Sequence, residues 1–390
     1  MEGFSLSKLR DLLPSLPQLS PQAEMDQETT LDQTAQLDAA AEKETAAEPA
    51  PSTSAPYVLS PMPIDESRPK TNLDLINECD SFPYFQDSPS LYLQHINTYY
   101  HLRVVAYPET TLGYVLPSVA EVLRGIPGWT LDDDERTLTL SDGTNEEERS
   151  AVVAATTAAM RATEYFSVLK GWRNELYPVY GPSPVKELLF SIERAASPLF
   201  GIVSYGVHMT AYTYVTSEKD KKELKLWTPR RAATKQTYGG MLDNTVAGGM
   251  ATNEKPLECV IREAHEEASL PEDLVREGAK PAGTVTYFHI RDHRAGGETK
   301  LLQPECQFIF DLELPADVEP KPCDDEVEQF YLLGIDELKE RLAKGEFKPN
   351  CAVVLIDFFV RHGVLTAEQE RDYVEIVSRL HRRLEFPTGG

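Results

Sequence analysis

Three glutamates lie within five positions of one another in the stretch AGGMATNEKPLECVIREAHEEASL, residues 247–270. Apolar residues recur at helical spacing after Pro256, and this pattern predicts an amphipathic helix with proline in its first turn. Glu263, Glu266 and Glu267 then stand at i, i+3 and i+4, which brings their carboxylates close together. Three like charges at this spacing destabilise a helix unless positive charge lies among them.

Two sources of that positive charge are open. In the simpler interpretation the helix is an exposed acidic surface, balanced by Arg262 and solvent. In the other a divalent cation is bound, because carboxylate oxygens are the ligands that Mg²⁺ and Mn²⁺ prefer. Arg262 can pair with Glu258 four residues earlier, or it can brace one of the metal ligands. Gly248 and Gly249 precede the helix and let backbone groups approach a ligand closely, which favours the metal site.

These residues also resemble a known motif, the Nudix box, whose pattern is GX5EX7REUXEEXGU with U a bulky apolar residue. Gly248, Glu254 and residues 262–270 align with it at the required spacing. Ser269 stands where the box has glycine, and Ala264 is small for an apolar position. Neither departure falls on a residue that carries chemistry.

The resemblance implies a hydrolase, dependent on Mg²⁺ or Mn²⁺, that acts on a diphosphate linked to another group. In that family the three glutamates hold the cations together with a backbone carbonyl, here that of Ala247. The cations polarise the diphosphate and lower the pKa of a bound water that attacks phosphorus. Glu254 and Arg262 would brace the loop and the ligands. A further acid often completes such a site, and the candidates are Glu305, Glu326 and Glu328.

The sequence around the box narrows the substrate. The segments RAATKQTYGGMLDNTVAGG and GWRNELYPVYG, with the region before them, resemble the thiamine pyrophosphokinase-related Nudix proteins of fungi and plants from about Thr71 onward. Those proteins are taken to hydrolyse thiamine diphosphate, and preferentially its oxo and oxy forms, to the monophosphate and phosphate, an activity of metabolite repair. Two alternatives remain open: a pyrophosphatase for a nucleoside diphosphate derivative such as ADP-ribose, and a Nudix-fold binding module without turnover.

Residues that could contact such a substrate lie close to the box. Arg230, Arg231 and Lys235 form a basic cluster that suits a diphosphate, although solvated loop charges would look the same. Trp172 and Tyr238 are candidates to stack on a heterocyclic ring, with core packing as the alternative for each. The same two interpretations apply to Tyr177, Tyr180 and Trp227.

Composition limits the partners. The net charge of −25 over 390 residues argues against nucleic acid, and it means that an anionic substrate needs a local cationic cluster or a divalent cation. The five cysteines are scattered and never form a CxxC pair, which argues against a disulfide framework or a zinc site. No apolar run approaches the ~20 residues of a membrane span, and no secretory signal is evident. We therefore expect a cytoplasmic protein, a monomer, that acts on a small-molecule diphosphate without binding nucleic acid or membrane.

The elements that must position the box fall into three regions. Residues 1–66 are acidic and rich in Ala, Pro, Ser, Thr and Gln, which predicts a disordered leader. Residues 71–198 predict a small α+β domain, with strands over 102–109 and 136–142 and helices over 146–172 and 184–197.

The third region, residues 199–390, predicts the Nudix hydrolase domain. Its alternating segments predict strands over 206–215, 223–229, 283–292 and 306–314, and the box at 248–270 lies between the second and the third. Three helical segments follow, over 335–345, 352–363 and 367–386. The predicted fold class is α+β with an α-β-α arrangement, a mixed-sheet sandwich between helices preceded by the smaller domain.

Overall fold

The structure is a computed structural model, and it describes residues 68–216, 220–323 and 325–389. The predicted leader, residues 1–66, lies outside the described residues. Within the described ranges, no helix has the length and apolar character that crossing a bilayer requires.

The first part of the described chain contains a small sheet and four helices. The helices are α1 (Asn72–Cys79), α2 (Pro89–Ile96), α3 (Pro117–Leu123) and α4 (Glu146–Ala162). The strands are β1 (Tyr100–Val104), β2 (Gly113–Val115), β3 (Trp129–Asp132) and β4 (Thr137–Leu140). The strand order is β2-β1-β4-β3, in which β1 and β4 run parallel and the outer pairs antiparallel. Both predicted strands of this region are therefore present.

Two predicted helices of this region differ from the structure. The helix predicted over 146–172 ends at Ala162, because Glu164 takes a left-handed conformation (φ 55°) before a short 3-10 turn. The helix predicted over 184–197 is wrong, since the chain there forms β6 (Leu188–Glu193), which pairs antiparallel with β5 (Leu176–Tyr180). A short apolar run fits a fully buried strand as well as a helix, and pairing with β5 decides between them.

A larger mixed sheet follows the short helix α5 (Ser197–Phe200). Its strands are β7 (Ser204–Thr216), β8 (Lys222–Arg231), β9 (Val246–Gly249), β10 (Lys280–Ile290), β11 (Leu302–Glu313) and β12 (Val327–Gly334). The order is β10-β11-β7-β8-β12, with β9 paired to β7, and only β11 and β7 run parallel. The four predicted strands are confirmed, whereas β9 and β12 were not predicted.

Helices cover both faces of this sheet, which makes the predicted sandwich. They are α6 (Pro256–Ala268), α7 (Glu272–Gly278), α8 (Ile335–Ala343), α9 (Pro349–Arg361) and α10 (Tyr373–Arg379). The buried residues of α6 share a core with the sheet side chains that include Val207 and Met209. The buried residues of α9 share another core with Tyr287 and Ile309. The last predicted helix, 367–386, is shorter in the structure and is limited to α10.

The core of the large sheet also includes residues from the start of the described chain. Leu75, Ile76 and Cys79 of α1 are buried in the cluster that contains α9. Asp80, directly after α1, is 2% exposed and pairs with Arg382 at 3.0 Å. Packing thus crosses the predicted boundary at residue 198, and the division into 71–198 and 199–390 stays a proposal.

Candidate active site

The glycine strand β9 and the helix α6 bring the box residues together. β9 pairs with β7 so that Gly248 lies opposite Val207, and the chain then turns through residues 250–255 into α6. α6 buries the predicted apolar stripe, Cys259, Val260, Ile261, Ala264 and Ala268. This packing turns the neighbouring face of α6, which carries the glutamates, toward β9. There the Ala247 N–H donates to Glu267 Oε2 at 3.1 Å.

Arg262 lies at the centre of the acidic group. Its guanidinium donates to Glu254 Oε1 at 2.9 Å, to Glu263 Oε1 at 2.9 Å and to Glu266 Oε2 at 3.1 Å. Of the two predicted roles, the structure has the bracing one, because Glu258 instead forms a two-bond pair with Arg276 at 2.6 and 2.8 Å. Arg262 thus fixes the orientation of three carboxylates at once.

The loop between β9 and α6 is closed by Glu254. Its Oε2 accepts from the Ala251 N–H at 3.0 Å, while its carboxylate also holds Arg262. The two glycines of β9 are required by close packing: a Cβ on Gly248 would lie 2.0 Å from Glu263 Cδ, and one on Gly249 would lie 1.9 Å from Tyr177 Oη. Any larger residue would displace these side chains.

Burial makes the carboxylates of this site costly to ionise. The side chain of Glu263 is only 12% exposed, and burial raises its pKa although Arg262 acts in the opposite direction. Burial raises the pKa of Glu267 well above its usual range, and the neighbouring carboxylates of Glu263 and Asp243 raise it further. The site is therefore short of positive charge.

The donor set suits a hard divalent cation, because it offers carboxylate oxygens in a partly buried place. Among residues 68–216, 220–323 and 325–389, however, no three His, Cys, Asp or Glu side chains are already arranged around one metal position. Here Glu263 and Glu266 converge on the Arg262 guanidinium instead, while Glu267 accepts from the Ala247 N–H. The residues fit such a cation by their chemistry.

The turn that ends α6 keeps the box geometry without glycine. Ser269 is in the left-handed region (φ 53°), its N–H donates to the carbonyls of Ala264 and His265, and Leu270 beyond it is 1% exposed. A C-terminal turn of this kind normally places glycine at the left-handed position. Serine therefore forms the turn at a conformational cost.

Replacing Ser269 by glycine is expected to raise the free energy of unfolding by about 1 kcal/mol, since a left-handed conformation costs a non-glycine residue about that much. Thermal unfolding of the two proteins measures the difference. The matched control is Ser378→Gly in α10, where Ser378 is exposed within a helix and glycine should destabilise by about 0.5 kcal/mol. Equal effects at the two positions would show that the conformation of Ser269 is unimportant.

A cavity of about 860 Å³ opens beside the box. One side is the box itself, with Gly248, Glu263 and Glu267. Another side comes from the region before β7, and its residues include Trp172, Arg173, Tyr177 and Arg194. The strands of the large sheet complete the lining. The chain upstream of β7 is thus a direct part of the wall.

Most predicted substrate contacts line this cavity, namely Trp172, Tyr238, Arg231 and Lys235. Arg230 is not among the lining residues: it donates to the Gly240 carbonyl at 2.7 Å and to Tyr331 Oη at 3.3 Å, and its role as a substrate contact stays a prediction. Of the further aromatics, Tyr177 lines the cavity, whereas Tyr180 and Trp227 pack in a hydrophobic core.

The cationic side chains at the cavity differ in whether an acid already holds them. Arg231 pairs with Asp243 at 2.5 Å, and Lys235 pairs with Glu326. Burial lowers the pKa of Lys235, although Glu326 opposes that effect. Their charge is therefore largely neutralised before any ligand binds.

The three candidate acids outside the box differ in their partners and in whether they line the cavity. Glu326 lines the cavity, but Lys235 and Arg173 hold it, the latter at 3.2 Å. Glu305 lines the cavity on β11. Glu328 is exposed and is not part of the lining, and its candidacy stays a prediction.

Two cations at the cavity were not predicted. Arg194 lies over the Tyr177 ring, 5.6 Å from its centroid, and donates to Glu175 at 2.8 Å. Lys348 lines the cavity at the start of α9, and its ammonium has no hydrogen bond or ion pair within the described part of the chain. Neither lies near the box in the sequence, so no local pattern could indicate them.

Polar side chains of the large sheet were missed as well, although a signal existed. The lining includes Tyr287 and His289 of β10, Arg291 directly after it, and Gln303, Glu305 and Gln307 of β11. In both strands these residues alternate with apolar ones, as expected where one face meets the core and the other a polar space. The strands were predicted, but their polar face was not assigned a role.

The mixed sheet between helices, with a glycine strand leading into the box helix, defines the class of protein. Residues 207–351 match the family model described as NUDIX domain. In this particular chain a second match precedes it, since residues 94–204 match the model described as Domain of unknown function (DUF4743).

Curated relatives share this sequence over part of their length. The uncharacterized protein YJR142W of Saccharomyces cerevisiae is 42% identical over 226 residues, which are 57% of this chain and 64% of that protein. Nudix hydrolase 20, chloroplastic, of Arabidopsis thaliana is 39% identical over 217 residues, 55% of this chain and 54% of that protein. The chain thus spans between half and two thirds of the relatives it matches.

Solved structures show a weaker likeness. The protein DR0079 of Deinococcus radiodurans aligns with 53% of this chain and 100% of its own length, at 19% identity and a TM-score of 0.30.

The predicted cytoplasmic location and monomeric state stay predictions, and the plant relative above carries the name chloroplastic.

Proposed function

We propose that the protein hydrolyses a diphosphate linked to another group, with Mg²⁺ or Mn²⁺ held by Glu263, Glu266, Glu267 and the Ala247 carbonyl. The observation that carries this proposal is the convergence of two partly buried carboxylates with raised pKa, those of Glu263 and Glu267, on the backbone of β9. Such a pair is short of positive charge, and a divalent cation supplies it.

The bound cation would polarise the phosphoryl oxygens and lower the pKa of a water molecule. The protein's part is to fix the carboxylates: Glu254 holds Arg262, and Arg262 holds Glu263 and Glu266. Substitution of either bracing residue should therefore weaken metal binding without removing a ligand.

A diphosphate also needs positive charge from the protein. Arg231 and Lys235 are engaged with Asp243 and Glu326, which weakens their prediction as the main phosphate contacts. We propose that Lys348 has the larger share, because its ammonium can meet a phosphate without first losing a carboxylate partner. Arg194 also has an acidic partner, Glu175, and it is the second contributor only because its guanidinium lies against Gly249 of the box strand.

For the substrate we propose thiamine diphosphate or its oxo and oxy forms, cleaved to the monophosphate and phosphate. The cavity of about 860 Å³ is in the range that accommodates a cofactor-sized ligand. Trp172 and Tyr238 lie in its wall, where either ring can stack on a flat heterocycle. A nucleoside diphosphate derivative such as ADP-ribose is the alternative for the same chemistry.

The purified full chain is expected to release phosphate from thiamine diphosphate and its oxo and oxy forms in Mg²⁺ or Mn²⁺, and to lose this activity in EDTA. A panel that also contains ADP-ribose, with phosphate and monophosphate products measured, tests the proposal. A tenfold or greater preference in kcat/KM for the thiamine compounds supports it. A preference for ADP-ribose would replace the substrate but keep the chemistry, and no turnover of any compound would favour the binding module.

A further inference from the structure

One side of the cavity is a polar wall on the large sheet. We define this polar wall as six lining residues: Tyr287 and His289 of β10, Arg291 directly after β10, and Gln303, Glu305 and Gln307 of β11. Apart from Glu305, a candidate further acid, none of these residues has a part in the chemistry of the box. A wall of this size, beyond what a diphosphate needs, is available for the group to which the diphosphate is attached.

Strand order gives the separation between the box and the polar wall. β9 pairs with β7, β7 with β11 and β11 with β10. Neighbouring strands are about 4.8 Å apart, so β11 lies roughly 10 Å from β9 and β10 roughly 14 Å from it. A ligand with its diphosphate at β9 and a ring one linker further on can extend to this wall.

Of the two carboxylate oxygens of Glu305, only one accepts hydrogen bonds from neighbouring side chains. Its Oε2 accepts from Tyr287 Oη at 2.6 Å and from Gln307 Nε2 at 2.7 Å. Burial raises the pKa of Tyr287 well above its usual range, so the phenol keeps its proton and donates. Glu305 Oε1 has no hydrogen-bond partner within the described ranges. The carboxylate is thus oriented by its neighbours while one oxygen remains available as an acceptor.

His289 provides a second unused acceptor. The residue is 8% exposed, and its Nδ1 lies 3.2 Å from the Cys79 carbonyl, to which only a protonated nitrogen can donate. Burial lowers the pKa of His289, which favours the neutral ring and leaves Nε2 as a lone-pair acceptor. In the part of the chain that the structure describes, His289 Nε2 is buried and without a partner. A buried polar atom in this state favours a ligand that satisfies it.

The two acceptors are close enough to act on one ligand. Glu305 lies opposite Tyr287, and His289 lies opposite Gln303, so Glu305 and His289 are diagonal neighbours across the strand pair. Such neighbours are about 7–8 Å apart, within reach of a single ring and its substituents. Two adjacent acceptors select a ligand that presents N–H donors.

We propose that the polar wall binds a planar nitrogen heterocycle through its N–H groups, an exocyclic amino group or a ring N–H, which donate to Glu305 and His289. This inference rests on the proposed function for the diphosphate at the box, and it identifies the other half of the substrate. It also gives Glu305 a different role from that of an additional metal ligand. Aminopyrimidines and adenine both have the required chemistry.

Binding of the heterocycle without phosphate tests this inference apart from hydrolysis. Calorimetric titration of the metal-free full chain with thiamine, and separately with adenosine, is expected to show binding of one of them in the millimolar range or tighter. The analogue of that compound with a dimethylamino group in place of the amino group should bind about tenfold more weakly, because it has lost its donors. The ligand-side change requires no protein variant and so carries no risk of misfolding.

Protein variants then identify the acceptors. Glu305→Gln and His289→Phe are each expected to weaken binding of the amino compound about tenfold, but not that of its dimethylamino analogue. The control is Glu313→Gln, an exposed acid at the end of β11, which should change neither. Equal losses for both compounds, or no effect of either variant, would overturn the inference.

The outcomes also separate the two proposals. Ring binding by a protein that hydrolyses no diphosphate would leave the inference standing and refute the proposed function. Hydrolysis without binding of thiamine or adenosine at millimolar concentrations would refute the inference and leave the proposed function standing.

Discussion

Replacing Glu267 by glutamine is expected to lower kcat about a thousandfold while the melting temperature stays the same or rises. The loss follows from removing an anionic metal ligand, which is worth on the order of 4 kcal/mol in the transition state. The structure is expected to tolerate the change, because glutamine keeps the size and still accepts from the Ala247 N–H.

The effect on stability follows from the raised pKa of Glu267. When the folded pKa lies above the unfolded one, the group stabilises the fold at low pH, and that contribution is lost as pH rises through the folded pKa. At neutral pH without metal, burial of this carboxyl group therefore opposes folding, and glutamine removes that opposition. The gain should disappear at pH values below the unfolded pKa of a glutamate, near 4.

Phosphate release with Mg²⁺ and thermal unfolding in EDTA measure the two effects. The matched control is Glu277→Gln, an exposed acid on α7, which should alter neither activity nor stability. A Glu267→Gln protein with an unchanged rate would contradict the assignment of Glu267 as a metal ligand. A large fall in melting temperature would instead give the carboxylate a structural role.

Replacing Gly248 by alanine is expected to lower kcat/KM at least about a hundredfold and to destabilise the fold by about 1–3 kcal/mol. The added Cβ would lie 2.0 Å from Glu263 Cδ and 2.3 Å from Glu263 Cγ, so the carboxylate must move. Glu263 is held by Arg262 and packed against β9, which leaves it no nearby position with the same geometry. One methyl group should therefore displace a ligand without changing any charge.

Gly334→Ala is the control for this substitution. A Cβ at Gly334 meets no atom within 4 Å, and its φ of −79° suits alanine, so activity and stability should be preserved. Kinetics across Mg²⁺ concentrations adds a second test, because a displaced Glu263 should raise the metal concentration needed for half-maximal rate. Normal metal dependence in Gly248→Ala would mean that Glu263 does not bind the cation.

The box helix was predictable because its information is local. The apolar stripe of α6 repeats at helical spacing, proline marks its first turn, and the glutamates follow from the same period. The four predicted strands of the large sheet have strong alternation, and each is present. For Arg262, the spacing allows a pair with Glu258 or a bracing contact with the ligand glutamates. Only the packing of β9 against α6 decides for the second.

The remainder of the site depends on contacts between distant residues. Tyr177 reaches Gly249, and Glu326 reaches Lys235, across separations that no local period encodes. A basic cluster in sequence likewise does not reveal which of its cations already have partners, as Arg231 and Lys235 have in Asp243 and Glu326. The apolar run of β6 fits a helix as well as a strand, and only its pairing with β5 resolves the choice.

The cavity wall upstream of β7 has a consequence for how proteins with this box diversify. The match to the family model described as NUDIX domain begins at residue 207, yet β7 begins at Ser204, and Tyr177 and Arg194 already lie against Gly249. A fragment cut at the start of the family match would keep every box residue and lose one side of the pocket. Two proteins with identical boxes but different upstream regions would then share a bond to cleave while accepting different molecules. Exchange of the upstream region alone is thus a route by which substrate choice can evolve without altering the catalytic motif.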